Sequence, residues 1–189
     1  KSNQEIKAYH PGPTILKSYL VDDRIFFQQQ GLGIFELTPS GILPFIVNNN
    51  FENAIVVNMF SYGDGFRLLT SNNGFFTYSR GRLRTWPSMN NLVKNDVVYS
   101  AIRTQTGDYV LGTISNGVFV VNKEDESVKH MNFQRGLINN TILSVFEDYD
   151  QNLHDQTCIH LKLLPQHDQT VYDQGRAIDT RFQLNLHLN

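Results

Sequence analysis

The feature that most constrains the fold of this chain is an internal repeat of slightly more than forty residues. A glycine followed by two apolar residues recurs as Gly33-Ile34-Phe35, Gly74-Phe75-Phe76 and Gly117-Val118-Phe119, at spacings of 41 and 43 residues. A fixed period of this length is typical of architectures in which one supersecondary unit stacks on the next. The strands within one period therefore decide the fold.

Short β-branched and aromatic runs fill each period, and turn residues such as Asp64-Gly65 separate them. No apolar stripe at helical spacing extends over eleven residues or more, so the class is all-β. Four strands are predicted per period, for the two central copies at Ala54–Phe60, Phe66–Ser71, Phe75–Ser79, Arg82–Trp86, Val97–Arg103, Asp108–Ile114, Val118–Asn122 and Val128–Phe133. This is the period of a β-propeller blade of four antiparallel strands. A β-sandwich is the alternative, but sandwiches do not usually repeat residue types in register.

Composition limits the functions open to the chain. With 16 Lys+Arg against 18 Asp+Glu, the formal net charge is -2, which gives no electrostatic footprint for nucleic acid or an anionic membrane. The single cysteine, Cys158, excludes an internal disulfide framework and a Cys-rich zinc module. No apolar run approaches the roughly 18 residues of a membrane helix. At about 42 residues per blade the chain supplies at most roughly 4.5 blades, so we expect about three legible blades of an incomplete ring.

The last copy, residues 136–153, reads Gly-Leu-Ile-Asn-Asn-Thr-Ile-Leu-Ser-Val-Phe-Glu-Asp-Tyr-Asp-Gln-Asn-Leu. It resembles the two-component regulator propeller repeat. That pattern runs Gly-Leu, a pair of Asn or Asp, an apolar strand, an acidic pair, a turn, then Leu-Trp-Ile-Gly-Thr and Gly-Leu or Gly-Ile. Residues 109–113 with Gly117-Val118, and residues 66–70 with Gly74-Phe75, are looser copies. The resemblance covers residues 20–153.

This resemblance implies part of a periplasmic sensor propeller in a hybrid two-component histidine kinase, mostly known from gut Bacteroidetes, that responds to products of carbohydrate breakdown. It implies a segment without enzyme activity or cofactor. The expected partners are an oligosaccharide, the remaining blades and signalling domains of the parent chain, and a second copy in a homodimer, but neither nucleic acid nor membrane. The alternatives are a lyase-like or quinoprotein-like propeller enzyme and a protein-interaction propeller. Trp86 as the single tryptophan disfavours a quinoprotein, and the absence of Gly-His and Trp-Asp pairs disfavours the WD type.

The chain leaves the pattern after Leu153. His154-Asp155-Gln156-Thr157 stands where the family has Trp, an apolar residue, Gly and Thr, and Leu161 stands where a Gly is expected. Residues 154–189 hold one Gly of thirteen but four His of six. We therefore predict a partial propeller over residues 1–153 and a tail over 154–189 that is non-native, through a reading-frame slip or a recombined end, or disordered.

No catalytic, cofactor-binding or metal-binding residue is predicted, and no ligand-binding residue can be named. His154, Cys158, His160 and His167 match no zinc spacing, while Gly31-Leu32-Gly33 and Gly63-Asp64-Gly65 precede strands rather than helices, so they form no phosphate cradle. The acidic groups Asp22-Asp23, Glu124-Asp125-Glu126 and Glu147-Asp148 are predicted to lie in turns and at strand ends rather than to form the pair of carboxyl groups of a glycosidase.

Arg80, Arg82 and Arg84 near Trp86 alternate as in a half-exposed outer strand, although such a strip would also suit single-stranded nucleic acid. Tyr9 and His10 would suit sugar stacking.

Overall fold

Three four-stranded antiparallel sheets follow one another along the chain, and in each the order of the strands is their order in the sequence. The computed structural model describes residue 12 and residues 14–47, 54–155, 171–173 and 176–178. Within these ranges the sheets form an arc without closing a ring, which confirms the all-β class and the incomplete propeller.

The strands have the following bounds. The first sheet contains β1 Ile15–Val21, β2 Arg24–Gln29, β3 Gly33–Thr38 and β4 Gly41–Ile46. The second contains β5 Val56–Tyr62, β6 Gly65–Thr70, β7 Phe75–Ser79 and β8 Arg82–Thr85. The third contains β9 Val98–Arg103, β10 Tyr109–Thr113, β11 Val118–Val121 and β12 Val128–Met131. Two pairs follow, β13 Val145–Glu147 with β14 Leu153–Asp155 and β15 Val171–Asp173 with β16 Arg176–Ile178. The eight strands predicted above are confirmed to within two residues at every end.

Alternation along the central strands determines how the sheets stack. Leu68 in β6 belongs to an apolar cluster with residues of the first sheet, whereas the next residue, Leu69, belongs to a cluster with residues of the third. In β10, Leu111 likewise faces the second sheet and Val110 faces the pair β13–β14. Since successive side chains of a strand point to opposite faces, the second and third sheets each contribute to two interfaces. The core is therefore a series of layers between sheets.

The first strands of neighbouring sheets are joined by hydrogen bonds between side chains and backbone. Such bonds fix the position of each sheet relative to the next, because a hydrogen bond is directional and apolar packing is not. They run from the Tyr19 hydroxyl to the Val56 carbonyl oxygen (2.7 Å), from Asn58 Nδ2 to the Ala101 carbonyl oxygen (2.8 Å), and from the Val145 backbone N–H to Ser100 Oγ (2.9 Å).

A threonine hydroxyl closes the turn between the second and third strands of two sheets. Thr113 Oγ1 donates to the Gly117 carbonyl oxygen at 2.9 Å and accepts from the Asn116 backbone N–H at 2.9 Å. Thr70 makes the same two bonds in the preceding sheet. These bonds explain why a Thr recurs four residues before the Gly of each of these two repeats.

A short helix, α1 Pro87–Leu92, connects the second sheet to the third and was not expected from the sequence. Pro87 stands in its first turn, where the missing N–H costs nothing, and Met89 is its buried residue, at 1% exposure. With six residues the helix is too short to show an apolar stripe. Among the described residues, no helix is both long and apolar enough to span a bilayer.

The predicted boundary after Leu153 falls inside β14, which continues to Asp155. His154 takes part in this strand, and its Nε2 lies 2.7 Å from Asp148 Oδ2. Most of the tail, including Cys158, His160 and His167, lies outside the described residues, so the origin proposed for it stays a prediction.

Gly117→Ala is expected to destabilise the protein more than Gly81→Ala. Both glycines have a positive φ, 78° and 74°, so either substitution costs about 1–2 kcal/mol of backbone strain. A Cβ at Gly117 would also collide with the Met131 carbonyl oxygen, whereas a Cβ at Gly81 meets nothing within 4 Å. Urea unfolding of both variants measures the difference, and equal losses would contradict the predicted collision.

Candidate functional site

One charged residue interrupts the apolar repeat in the middle of the second sheet. Phe26, Arg67 and Val110 hold the same place in the second strand of three successive sheets, at the spacings of 41 and 43 residues that relate the repeats. Phe26 and Val110 are fully buried against the following sheet. Arg67 is only 8% exposed, so a cation stands where the fold otherwise places an apolar side chain.

Arg67 lies between two aromatic rings at the interface of the second and third sheets. Its Cζ is 3.7 Å from the Tyr62 ring centroid and 3.4 Å from the Trp86 ring centroid. Its Nη1 donates a hydrogen bond of 3.1 Å to the hydroxyl oxygen of Tyr109, which is 1% exposed. We call Tyr62, Arg67, Trp86 and Tyr109 the stacked-arginine cluster. Attraction between a guanidinium and ring faces is worth about 2 kcal/mol or more when the groups are desolvated.

The guanidinium of this cluster has no carboxylate partner among the described residues. The ion pairs within 4 Å in that part of the chain join Arg24 to Glu36, Arg80 to Asp64 and His154 to Asp148. Arg67 Nε is fully buried and has no hydrogen-bond partner in the described part of the chain. A buried charge without a counterion is costly, and an unsatisfied buried N–H is rare.

The interface between the first and second sheets contains a matched arginine that is neutralised. Arg24 Cζ lies 4.8 Å from the Phe26 ring centroid and 5.4 Å from that of Phe66. Unlike Arg67, it donates two hydrogen bonds of 2.8 Å to Glu36, one to each carboxylate oxygen. These bonds hold the pKa of Glu36 below its usual value. Of these two arginines, Arg24 is therefore paired with a carboxylate, and Arg67 has no such pair among the described residues.

Further polar groups surround the stacked-arginine cluster. The Trp86 indole N–H donates to Glu126 Oε1 at 2.8 Å, and the Ser88 hydroxyl donates to the other oxygen of the same carboxylate. Arg103 is exposed, with its Cζ 5.9 Å from the Tyr109 ring centroid, and its Nη1 donates to the Ser61 carbonyl oxygen at 3.0 Å. A second guanidinium therefore stands on the solvent side of Tyr109.

The arginines singled out in the sequence lie elsewhere. Arg82 and Arg84 are exposed on β8, the outermost strand of the second sheet, and Arg80 occupies the preceding turn, where its Nε donates to Asp64 at 3.0 Å. Trp86 is buried and stacks on Arg67 instead. This placement agrees with the interpretation of residues 80–84 as part of an exposed outer strand.

The acidic groups lie in turns and strand ends. Asp22 and Asp23 form the β1–β2 turn with positive φ angles of 49° and 59°. Asp148 accepts from the side-chain and backbone nitrogens of Asn152 and from His154, and these bonds lower its pKa. Glu147 accepts from the Gln105 backbone N–H at 2.7 Å.

The glycine pairs and the possible metal ligands considered in the sequence form no second site among the described residues. The glycines Gly31, Gly33 and Gly63 also belong to turns or strand starts. Within the described ranges, no three His, Cys, Asp or Glu residues are grouped so as to hold a metal ion. Tyr9 and His10 lie outside those ranges.

The stacked-arginine cluster was missed in the sequence because its members come from different strands. Tyr109 is 42 residues from Arg67, and neither local spacing nor composition connects the two. One signal was available. Aligning the repeats at their own period places an arginine in a column otherwise occupied by Phe and Val.

Several solved structures have a similar fold, while no family model and no curated protein matches the chain. One is the extracellular domain of a putative one-component system, BT4673 of B. thetaiotaomicron, with 22% identity and a TM-score of 0.56 over 77% of this chain and 20% of that one. Another is the corresponding domain of the putative hybrid two-component system BT3049 of the same organism, with 12% identity and a TM-score of 0.52 over 94% and 28%. A third is PorZ, a surface component of the type-IX secretion system of Porphyromonas gingivalis, with 15% identity and a TM-score of 0.54 over 89% and 28%.

These likenesses confirm the resemblance to two-component regulator propellers at the level of the fold. The chain spans about a fifth of the length of the BT4673 domain and 28% of the other two structures. It therefore has the fold of one arc of such extracellular domains.

Glu36→Gln is expected to lower the free energy of unfolding near pH 7, with the difference from wild type shrinking as the pH falls below about 4.5. Folding lowers the pKa of Glu36. The ionised carboxylate therefore stabilises the folded protein fully above its usual pKa, and this stabilisation is lost as the pH falls through the lower pKa of the folded state. Because Arg24 is 40% exposed, the effect should be below about 1 kcal/mol. Denaturation between pH 3 and 7 measures it, and a difference that grows on acidification would contradict this assignment.

Arg67→Met is expected to leave the free energy of unfolding nearly unchanged, because removal of an unpaired buried charge offsets the loss of the ring stacking and of the hydrogen bond to the Tyr109 hydroxyl. The reciprocal change Val110→Arg, at the equivalent place in the next sheet, should cost more than about 2 kcal/mol, because the described structure shows no ring stack around Val110. Thermal and urea unfolding compare the two variants. A large loss of stability in Arg67→Met would show that the guanidinium is needed to hold the sheets together.

Proposed function

We propose that this chain is part of the ligand-sensing, extracytoplasmic propeller of a hybrid two-component regulator that responds to oligosaccharides from carbohydrate breakdown. The observation that carries the proposal is the match between the repeat and the fold. The residues that resemble the regulator repeat fall on the strands and turns of successive sheets, as in the Thr113–Gly117 turn. Structures of similar fold include extracellular domains of putative hybrid two-component systems.

We place the chain among non-catalytic modules. Asp148, one of the acidic residues that stand next to each other in the sequence, accepts hydrogen bonds from Asn152 and His154 in its turn instead of facing a second free carboxyl group among the described residues. The arc of sheets also needs the rest of a ring to cover its ends, which supports the remaining blades of the parent chain as its first partners. Downstream signalling domains, a homodimer of the parent and a periplasmic location belong to the same proposal.

The gene context and a binding assay test this function. We expect the reading frame of the parent gene to continue into further repeats, a membrane helix and a histidine-kinase core. A stop codon followed by an unrelated gene would contradict the proposal.

Calorimetry of the chain against a panel of neutral and acidic oligosaccharides should give saturable binding without turnover of the sugar. Release of shorter sugars during the titration would favour a propeller enzyme instead.

A further inference from the structure

We propose that Arg67 is the anion-binding group of a ligand site between the second and third sheets, and that the group it binds is the carboxylate of an acidic sugar. The choice of a sugar rests on the proposed function, whereas the oxyanion rests on the stacked-arginine cluster itself. A uronate-containing oligosaccharide satisfies both.

The position of Arg67 supports a role in binding rather than in packing. Phe26 and Val110 show that the stacking of the sheets needs only an apolar side chain at this place. An arginine there leaves its Nε–H buried without an acceptor and its charge without a carboxylate among the described residues. Arg24, against the rings of the neighbouring interface, has its carboxylate in Glu36. What Arg67 lacks is therefore an anion, which a ligand can supply.

Access to this guanidinium is controlled by Tyr62. The Tyr62 ring covers one face of Arg67 at 3.7 Å, yet the residue is itself 44% exposed. It is the last residue of β5 and immediately precedes the turn at Gly63 and Asp64. A rotation of this ring would open the solvent side of the guanidinium, from which an anion reaches the N–H edge, while Trp86 and Tyr109 would keep the group in place from the buried side.

Two further cations stand at the rim of the site. Arg103 stands beside Tyr109, and the side chains of Arg103 and Lys123 converge on Gly107, where an added Cβ would lie 3.6 Å from both Arg103 Nη2 and Lys123 Nζ. The nearby carboxylates have other partners: Asp64 is paired with Arg80, Glu126 accepts from Trp86 and Ser88, and Asp108 accepts from the Lys123 backbone N–H at 3.0 Å. Among the described residues neither Arg103 nor Lys123 forms an ion pair, so both can contact a ligand anion.

The chemistry of these groups selects the ligand class. The planar edge of a guanidinium matches the two oxygens of a carboxylate, and such charge-assisted pairs are among the strongest polar contacts in proteins. The exposed Tyr62 ring offers an apolar face to the C–H groups of a sugar ring. An acidic sugar therefore uses the cation and the ring at once, whereas a neutral sugar uses only the ring.

Calorimetric titration of the 189-residue chain tests the inference with a galacturonate trisaccharide, the neutral galactose trisaccharide of the same linkage, and acetate. We expect the acidic trisaccharide to bind at least about tenfold more tightly than the neutral one, since only the acidic sugar forms charge-assisted hydrogen bonds with the guanidinium. Arg67→Met should lower the affinity for the acidic trisaccharide at least about tenfold, and Arg103→Gln should lower it by a smaller factor. Arg24→Gln, the matched control, should bind as the wild type does. Because Arg67→Met is expected to fold, unfolding curves of each variant separate lost binding from lost structure.

The outcomes separate this inference from the proposed function. Equal binding of both trisaccharides, unchanged in Arg67→Met, would overturn the oxyanion site and leave carbohydrate sensing in place. Acetate binding that is lost in Arg67→Met, with no binding of either trisaccharide, would keep the oxyanion site and overturn the acidic sugar. Tyr62→Ala gives a further test, because removing the cover should raise the affinity for acetate. A fall in acetate affinity in that variant would overturn the role given to Tyr62.

Discussion

Stacking between sheets is the interaction on which the rest of this structure depends. Each four-stranded sheet presents apolar side chains on both faces, as Leu68 and Leu69 do in β6, so no sheet can bury its surface alone. The period of the sequence, the alternation within strands and the bonds between first strands all follow from covering two faces at once. On the face of the first sheet directed away from the second, Leu20 and Ile25 remain 73% and 45% exposed and pair across β1 and β2.

Stacking also explains how much could be predicted from the sequence. Strand positions followed from short-range alternation and turn residues, which act within a few residues, and they were correct to within two residues. Helix α1 was missed because its six residues, with Met89 buried and Leu92 partly buried, are too few to show a periodic pattern. The stacked-arginine cluster was missed for a different reason. Its contacts join Arg67 to Trp86 and Tyr109, and the partners of a side chain across a sheet interface depend on the fold rather than on local spacing.

The comparison of Arg24 with Arg67 shows how a repeat fold accommodates a buried cation. Both guanidinium groups lie against rings, but in the described part of the chain only Arg24 has a carboxylate partner, Glu36. Each interface between sheets is formed by its own set of side chains. A costly charge in one interface therefore leaves the packing of the others unchanged. The protein can therefore keep an unpaired cation at the second interface while the first stays neutralised.

The position of Trp86 has a consequence for observing the molecule. It is the single tryptophan among 189 residues, and its indole lies 3.4 Å from the Arg67 guanidinium while its N–H is bonded to Glu126. Indole emission responds to nearby charge and to the polarity around the ring. The native chain thus carries one built-in fluorophore, placed at the interface between the second and third sheets. Any event that moves Tyr62, neutralises Arg67 or separates these two sheets will be recorded in its intrinsic emission without a label.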